Sequence, residues 1–238
     1  MFEFAEALPT IRATVAEDMR LRGLPREKVL ATVVHLLETT LIRVGNGEYA
    51  KTNQSYGLTT LLNEHVEVDG SEIRFCFTGK SGKQWSLATR DRRVARILRA
   101  CQELPGQDLP QYFDDDRELR GVSSGDVNAY LKEIAGRDIT AKDFRTWAGT
   151  LLMARFLRAS GQFENATKAK RFMSAAVKEV AGALGNTPAV CRKSYIHPAV
   201  AAAYLGGGLP EAGQIVGRAE PAGLTAEEAA VLALLRAA

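Results

Sequence analysis

Apolar residues recur at helical spacing along most of the chain and alternate with polar ones in only one short stretch. Residues 1–20 and 25–43 read as helices. The second starts near Pro25, a residue suited to a first helical turn, and places Val29, Val33, Leu36, Leu37, Thr40 and Leu41 on one stripe. Gly45 and Gly47 are the expected stop, which leaves Arg43 near that helix's C-terminus. Beyond His65 the period changes to two. Val66 and Val68, then Ile73, Phe75 and Phe77, alternate with polar residues around Asp69-Gly70, which predicts a β-hairpin. A second turn, "TGKSGK", leads to Trp85 and Leu87, giving an antiparallel sheet of about three strands with Lys80 exposed at a turn tip.

Helical spacing resumes at Arg90, with Val94, Ile97, Leu98 and Cys101 on one face, until "LPGQDLP" breaks it. Ser123 or Ser124 caps a helix through Val127, Tyr130, Leu131 and Ile134. "TAKDFRTWAGTLLMARFL" then opens on Thr140 and Asp143, a capping-box pattern, and aligns Phe144, Trp147, Leu151 and Ala154 on one side. Arg145 falls in its first two turns. A further long helix buries Ala169, Phe172, Met173, Ala176, Val177, Val180 and Leu184 and ends at Gly185. "LGGGLP" is a flexible connection, and residues 225–236 form an Ala/Leu-rich helix suited to packing or to a mobile tail. The fold class is therefore mainly α with a small antiparallel β-sheet (α+β), the sheet at about 57–88, a basic helical region at about 123–204 and a tail from 205 to 238.

Composition narrows this further. A chain of 238 residues can bury a core without disulfides or metals. No apolar run approaches the roughly 18 residues of a membrane span, and no secretory signal is visible. Cys76, Cys101 and Cys191 are odd in number and outside any metal-ligand spacing, so neither a disulfide framework nor a zinc site is expected, and a reducing cytoplasm fits. The net charge of +3 permits a polyanionic partner without demanding one. Its distribution says more: acids gather between Glu103 and Glu118, while Lys142, Arg145, Arg155, Arg158, Lys168, Lys170, Arg171, Lys178, Arg192 and Lys193 crowd the segment that follows. Such a segment is either a solvated helix surface or a phosphate-binding face. Within it, "GNTPAVCRKSYIHPAV" sets Tyr195 among Arg192, Lys193 and His197. By itself that stretch fits a packed aromatic as well as a nucleophile.

Four separated stretches decide between these readings. "LIRVGNGEYAKTNQSYGLTTL", "FTGKSGK", "AKDFRTWAGTLL" and "LGNTPAVCRKSYIHP" occur in the order and spacing of the motifs of the type IB DNA topoisomerases. The resemblance is to the compact poxvirus-like and bacterial branch and runs from about residue 5 to 205. It implies a single catalytic domain over 1–238 with the fold shared by tyrosine recombinases. It also implies a monomer, cytoplasmic and nucleoid-associated, acting on double-stranded DNA with no cofactor, no obligatory metal and no membrane. Tyr195 in "RKSY" resembles the nucleophile that forms a 3′-phosphotyrosyl link. Arg43 in "IRVG" and Arg145 in "FRTW" resemble the arginines that hold the scissile phosphate, and Lys80 in "TGK" resembles the general acid for the departing 5′-oxygen. Asn186 stands where many relatives have a histidine before "TP"; its amide can still donate to a phosphate oxygen but carries no charge. Lys51, Asn53 and Lys193 are read either as backbone contacts to DNA or as solvated surface groups. His65 and His197 are expected to be surface or packing histidines.

The residue types suit the chemistry. Negative charge accumulates on the non-bridging oxygens of a phosphorane-like transition state, which planar guanidinium forks match. A tyrosine with a reference pKa of about 10 must lose its proton on attack, and an alkoxide leaving group needs a positioned donor. The resemblance also implies a small, largely β clamp ahead of the catalytic region, and here a helix follows Met1 almost at once. The expectation is a chain without that clamp, whose DNA action is weaker and more salt-sensitive because it neutralises fewer phosphates. Two rivals remain at this stage: a tyrosine recombinase, which exchanges strands between duplexes, and a catalytically silent DNA-binding module.

Overall fold

The computed structural model of the chain describes residues 1–209 and 222–237. The residues group into two compact units, Ile11–Ala141 and Met1–Thr10 with Lys142–Ala238. The first helix, α1 (Phe2–Asp18), contributes to both.

The Ile11–Ala141 unit is built on α2 (Arg26–Thr40), whose inward residues Val29, Leu30, Val33, Leu36 and Leu37 are almost wholly buried. α2 ends earlier than its apolar stripe suggests. Leu41 takes a left-handed conformation (φ 59°), and the Thr40 hydroxyl turns back to the Leu36 carbonyl at 2.5 Å while accepting from the Ile42 amide at 3.3 Å. The expectation that Gly45 and Gly47 stop this helix is thus corrected: Gly47 instead begins a short helix, α3 (Gly47–Asn53), capped by the Asn46 side chain on the Tyr49 amide at 3.1 Å.

The three strands are as the alternation predicts. β1 (Val66–Asp69), β2 (Glu72–Thr78) and β3 (Gln84–Arg90) form an antiparallel meander in the order β1-β2-β3, with Val68 opposite Ile73 and Phe77 opposite Trp85. Ile73, Phe75 and Phe77 point inward while Arg74 and Cys76 face out. Their buried face meets α2 and α4 (Arg92–Gln102), whose Val94, Ile97, Leu98 and Cys101 are buried in turn. Each such side chain contributes about 1.5–3 kcal/mol relative to exposure. "LPGQDLP" is followed by a second hairpin that the residue pattern does not announce, β4 (Gln111–Phe113) with β5 (Leu119–Gly121), its loop carrying the acidic cluster. α5 (Ser124–Ala135) closes this unit, with Ser123 and Asp126 as a reciprocal capping box and the Tyr130 hydroxyl donating to Asp18 at 2.5 Å.

In the other unit α6 (Ala141–Ser160) is central. The expected single stripe of Phe144, Trp147, Leu151 and Ala154 is incomplete: Arg145, Thr150, Met153 and Leu157 are buried as well, whereas Leu151 is only half-buried. Neighbours on several sides explain this. Phe4 of α1 packs edge-on against Phe144, with centroids 4.9 Å apart. α7 (Ala166–Leu184), α8 (Pro188–Ser194) and α9 (Pro198–Leu205) follow in order, and α10 (Ala226–Ala237) returns to α6. The Trp147 indole nitrogen donates to Glu228 at 3.4 Å, and Arg155 grips both carboxylate oxygens of Glu227 at 3.1 and 2.5 Å. Of the two roles expected for the last helix, its described residues take the packing one; part of the expected 205–238 tail, residues 210–221 and 238, lies outside the described residues. No helix among the described residues is long and apolar enough to cross a membrane.

Candidate active site

Of the residues singled out from the sequence, Arg43, Lys51, Asn53 and Lys80 belong to the Ile11–Ala141 unit, and Arg145, Asn186, Lys193 and Tyr195 to the other. Arg43 is half-buried in the link between α2 and α3. Its carbonyl accepts from the Leu58 amide at 2.9 Å, and the Val44 carbonyl accepts from the Thr59 amide at 2.7 Å. The two segments cross so closely that a β-carbon on Gly57 would come within 2.6 Å of the Arg43 carbonyl oxygen and of the Gly45 backbone. Gly45, with φ 101°, is needed for this crossing rather than for ending a helix.

Lys80 is exposed on the β2–β3 connection, as expected. The Gly79 amide donates to the Lys83 carbonyl at 2.7 Å, and left-handed Ser81 and Gly82 complete the reversal. Gly79 also lies under the Trp85 indole, where a β-carbon would approach to 2.7 Å, so the "TGK" glycine has a steric reason. The Lys80 ammonium is 5.5 Å from the centroid of the Tyr49 ring, which α3 presents half exposed. Lys51 and Asn53 are exposed on the same helix.

Arg145 and Tyr195 come together although 50 positions separate them: the guanidinium carbon is 5.3 Å from the phenol ring centroid. Arg145 is only 3% exposed, and its terminal nitrogen donates to the Leu184 carbonyl at 2.5 Å. Leu184 is the last residue of α7, so a cation satisfies a carbonyl at the negative end of a helix. Gly185 (φ 62°) turns the chain out of α7, and the Asn186 amide reaches back to Ala181 at 2.9 Å, which places half-buried Asn186 directly beyond the carbonyl that Arg145 holds. Thr187 caps α8, Pro188 occupies its first turn, and Cys191 is fully buried beneath it. Tyr195 terminates α8, its amide donating to Cys191 at 2.9 Å. Arg192 and Lys193 point outward from the last turn.

The two histidines set aside from the sequence are structural. His197 caps α9, its Nδ1 accepting from the Ala199 amide at 3.2 Å. Burial lowers its pKa. His65 accepts from the Leu62 amide at 3.1 Å and packs on Tyr56, and burial likewise lowers its pKa. Three residues that touch these candidates or their neighbours, each within its own unit, escaped the sequence reading. Tyr49 meets Lys80, and Gly149 and Thr150 of α6 meet the chain at Tyr195 and His197. Only the spacing of Gly149, one turn after Arg145, could have signalled its placement.

Residues 1–205 match the model of the eukaryotic DNA topoisomerase I catalytic core. The chain belongs to this family. It is 27% identical over 203 residues to DNA topoisomerase 1B of Acanthamoeba polyphaga mimivirus, a match covering 82% of this chain and 60% of the relative. It is 25% identical over 166 residues to DNA topoisomerase 1B of Vaccinia virus (strain Copenhagen), with 69% of this chain and 50% of that one covered. DNA topoisomerase 1 of Rabbit fibroma virus (strain Kasza) matches at 26% over 168 residues with the same coverage. The chain thus spans half to three fifths of the length of these curated relatives. They are viral proteins, so they support the poxvirus-like side of the resemblance and not a bacterial assignment. The mainly helical fold with small antiparallel sheets is that of the catalytic core.

Proposed function

We propose that this chain relaxes supercoiled double-stranded DNA as a type IB topoisomerase, cutting and resealing one strand through Tyr195. The observation that carries the reading is the buried Arg145 guanidinium lying over the Tyr195 ring, 5.3 Å from its centroid, in a chain of the topoisomerase I catalytic-core family. The fold by itself would not license an activity; the pairing of a cation with the phenol at the matched motif positions does.

In this reading the Tyr195 phenol gives its proton to solvent as its oxygen attacks the scissile phosphorus. The bond from phosphorus to the 5′-oxygen breaks, and Lys80 protonates that oxygen as it leaves. The product is a 3′-phosphotyrosyl link and a free 5′-hydroxyl. Arg43 and Arg145 neutralise the non-bridging oxygens, and Asn186 adds an uncharged donor. One phosphodiester is exchanged for another, so resealing is the same reaction reversed and needs no nucleotide. Between the two steps the free end swivels. Lys51, Asn53 and Lys193 contact the backbone of the duplex, and one copy of the chain acts as a single catalytic domain.

The test is relaxation of supercoiled plasmid in EDTA without ATP, with Tyr195→Phe as comparison and denaturing gels to trap covalent product. Relaxation with a 3′-linked adduct, both lost in the variant, is the expected result. DNA binding with neither relaxation nor adduct would leave a silent binding module, and transfer of strands between marked duplexes would indicate recombination instead.

A further inference from the structure

At Gly149, helix α6 approaches the Tyr195 backbone with no side chain between them. Gly149 sits in the middle of α6, and its φ is not in the left-handed region, so nothing in the backbone there asks for glycine. Glycine inside a helix is destabilising relative to alanine, so its presence needs another reason. Sterics supply one. A β-carbon at Gly149 would collide with the Tyr195 carbonyl oxygen, and would also meet the Leu184 side chain at 3.2 Å and the Tyr195 carbonyl carbon at 3.3 Å. The next residue makes a second attachment: Thr150 is fully buried, its hydroxyl donating to the Thr146 carbonyl at 2.7 Å and accepting from the His197 amide at 3.1 Å. The backbone therefore lies against the helix that carries Arg145 at the carbonyl of residue 195 and is hydrogen-bonded to it at the amide of residue 197, through consecutive positions of that helix.

This arrangement bears on Tyr195 because, besides its amide hydrogen bond to the Cys191 carbonyl and the Arg145 guanidinium over its ring, the tyrosine sits where a short helix ends. It lies at the end of a seven-residue helix, with φ −131° and ψ 3°, and α8 does not continue beyond it. We propose that Gly149 and Thr150 are positioning residues for the reaction, setting the Tyr195 oxygen against the phosphate that Arg145 binds. The proposal rests on the reading of Tyr195 as the nucleophile. Gly149 lets the tyrosine backbone seat directly on α6, one helical turn from Arg145, so both groups take their register from one rigid element. Thr150 fixes the chain's exit, satisfying an amide that the start of α9 leaves without a helical partner.

Adduct formation in a single turnover on a nicked duplex, measured beside DNA affinity and thermal melting, tests this. Gly149→Ala is expected to slow adduct formation by about 100-fold, the effect of a displacement on the order of 1 Å, while DNA affinity stays within about twofold. Thr150→Val, which keeps shape but loses the acceptor, is expected to slow it by about tenfold, and Thr150→Ser to restore it. A duplex with sulfur in place of the scissile 5′-oxygen separates this role from proton donation, because a thiolate leaves without a proton. Lys80→Ala should recover on that duplex, whereas Gly149→Ala and Thr150→Val should not. Wild-type rates in both Gly149→Ala and Thr150→Val would overturn the positioning role, as would equal loss in Thr150→Ser and Thr150→Val. If Gly149→Ala fails to fold, the two threonine variants carry the test alone. Absence of adduct with the wild-type chain, or its persistence in Tyr195→Phe, would instead overturn the nucleophile reading beneath it.

Discussion

The Lys80 ammonium lies over the Tyr49 ring at 5.5 Å from its centroid, joining a turn between two strands to a helix 31 positions earlier. The turn places Lys80 in solvent, where a flexible lysine samples many rotamers. An aromatic face restricts that sampling by an attraction of about 0.5–1 kcal/mol at an exposed site. Tyr49→Leu is therefore expected to slow cleavage of ordinary DNA by about two- to fivefold. On a duplex with a sulfur leaving group it should cleave at the wild-type rate, since Lys80 then has no proton to deliver. An equal deficit on both substrates would mean that Tyr49 contacts DNA rather than the lysine.

Arg145 serves the Leu184 carbonyl, the Tyr195 ring and, in the proposed reaction, a phosphate oxygen at once. A planar fork with several donors can do this and a single ammonium cannot. Arg145→Ala and Arg145→Lys are both expected to lose about 100- to 1,000-fold in single-turnover cleavage, the usual consequence of removing one preorganised donor at a developing oxyanion. A lysine variant within about tenfold of wild type would show that charge alone suffices.

Asn186 offers a hydrogen bond without charge. In Asn186→His an imidazole with a reference pKa of about 6.5 would supply both below that pH and only the hydrogen bond above it. Cleavage by this variant is expected to exceed wild type at pH 6 and to fall as pH rises past about 7, against a wild-type profile lacking that step. Parallel pH–rate profiles for the two proteins would remove Asn186 from the phosphate.

The hydrogen bond from Arg155, together with its charge, holds the Glu227 carboxyl below its ordinary value of 4.5, against a smaller opposing effect of burial. Its contribution to docking α10 is thus fully present above about pH 4.5 and is lost as pH falls through the lower folded-state value. Both side chains are solvent-accessible, so the effect is modest. Proteolysis of the last helix should accelerate below about pH 4.5 at low salt in the wild type. In Arg155→Gln it should already be faster at neutral pH and change less on acidification. Identical acid dependence in both proteins would place the sensitive group elsewhere.

Much of this protein is legible in its residue pattern because the relevant physics is local. Period-two alternation in "EIRFCFT" decides which face of β2 is buried, and Asp69-Gly70 decides where the chain reverses. The Ser123-Ser124 pair ahead of α5, and Gly185 after α7, mark helix ends through bonds that span only a few residues. The identities of Arg43, Lys80, Arg145 and Tyr195 as candidates also came from short motifs. Other features depend on contacts between distant positions. α2 stops at Leu41, ahead of the glycines, because the next residues must cross "GLTT" at a separation only Gly45 and Gly57 permit. Arg145 is buried because an α7 carbonyl 39 residues away needs a donor, and Gly149 is bare because the Tyr195 backbone occupies the space of its side chain. Periodicity records which face of an element is apolar; it carries no record of which backbone comes to rest against that face, and that was decided only when the helices packed.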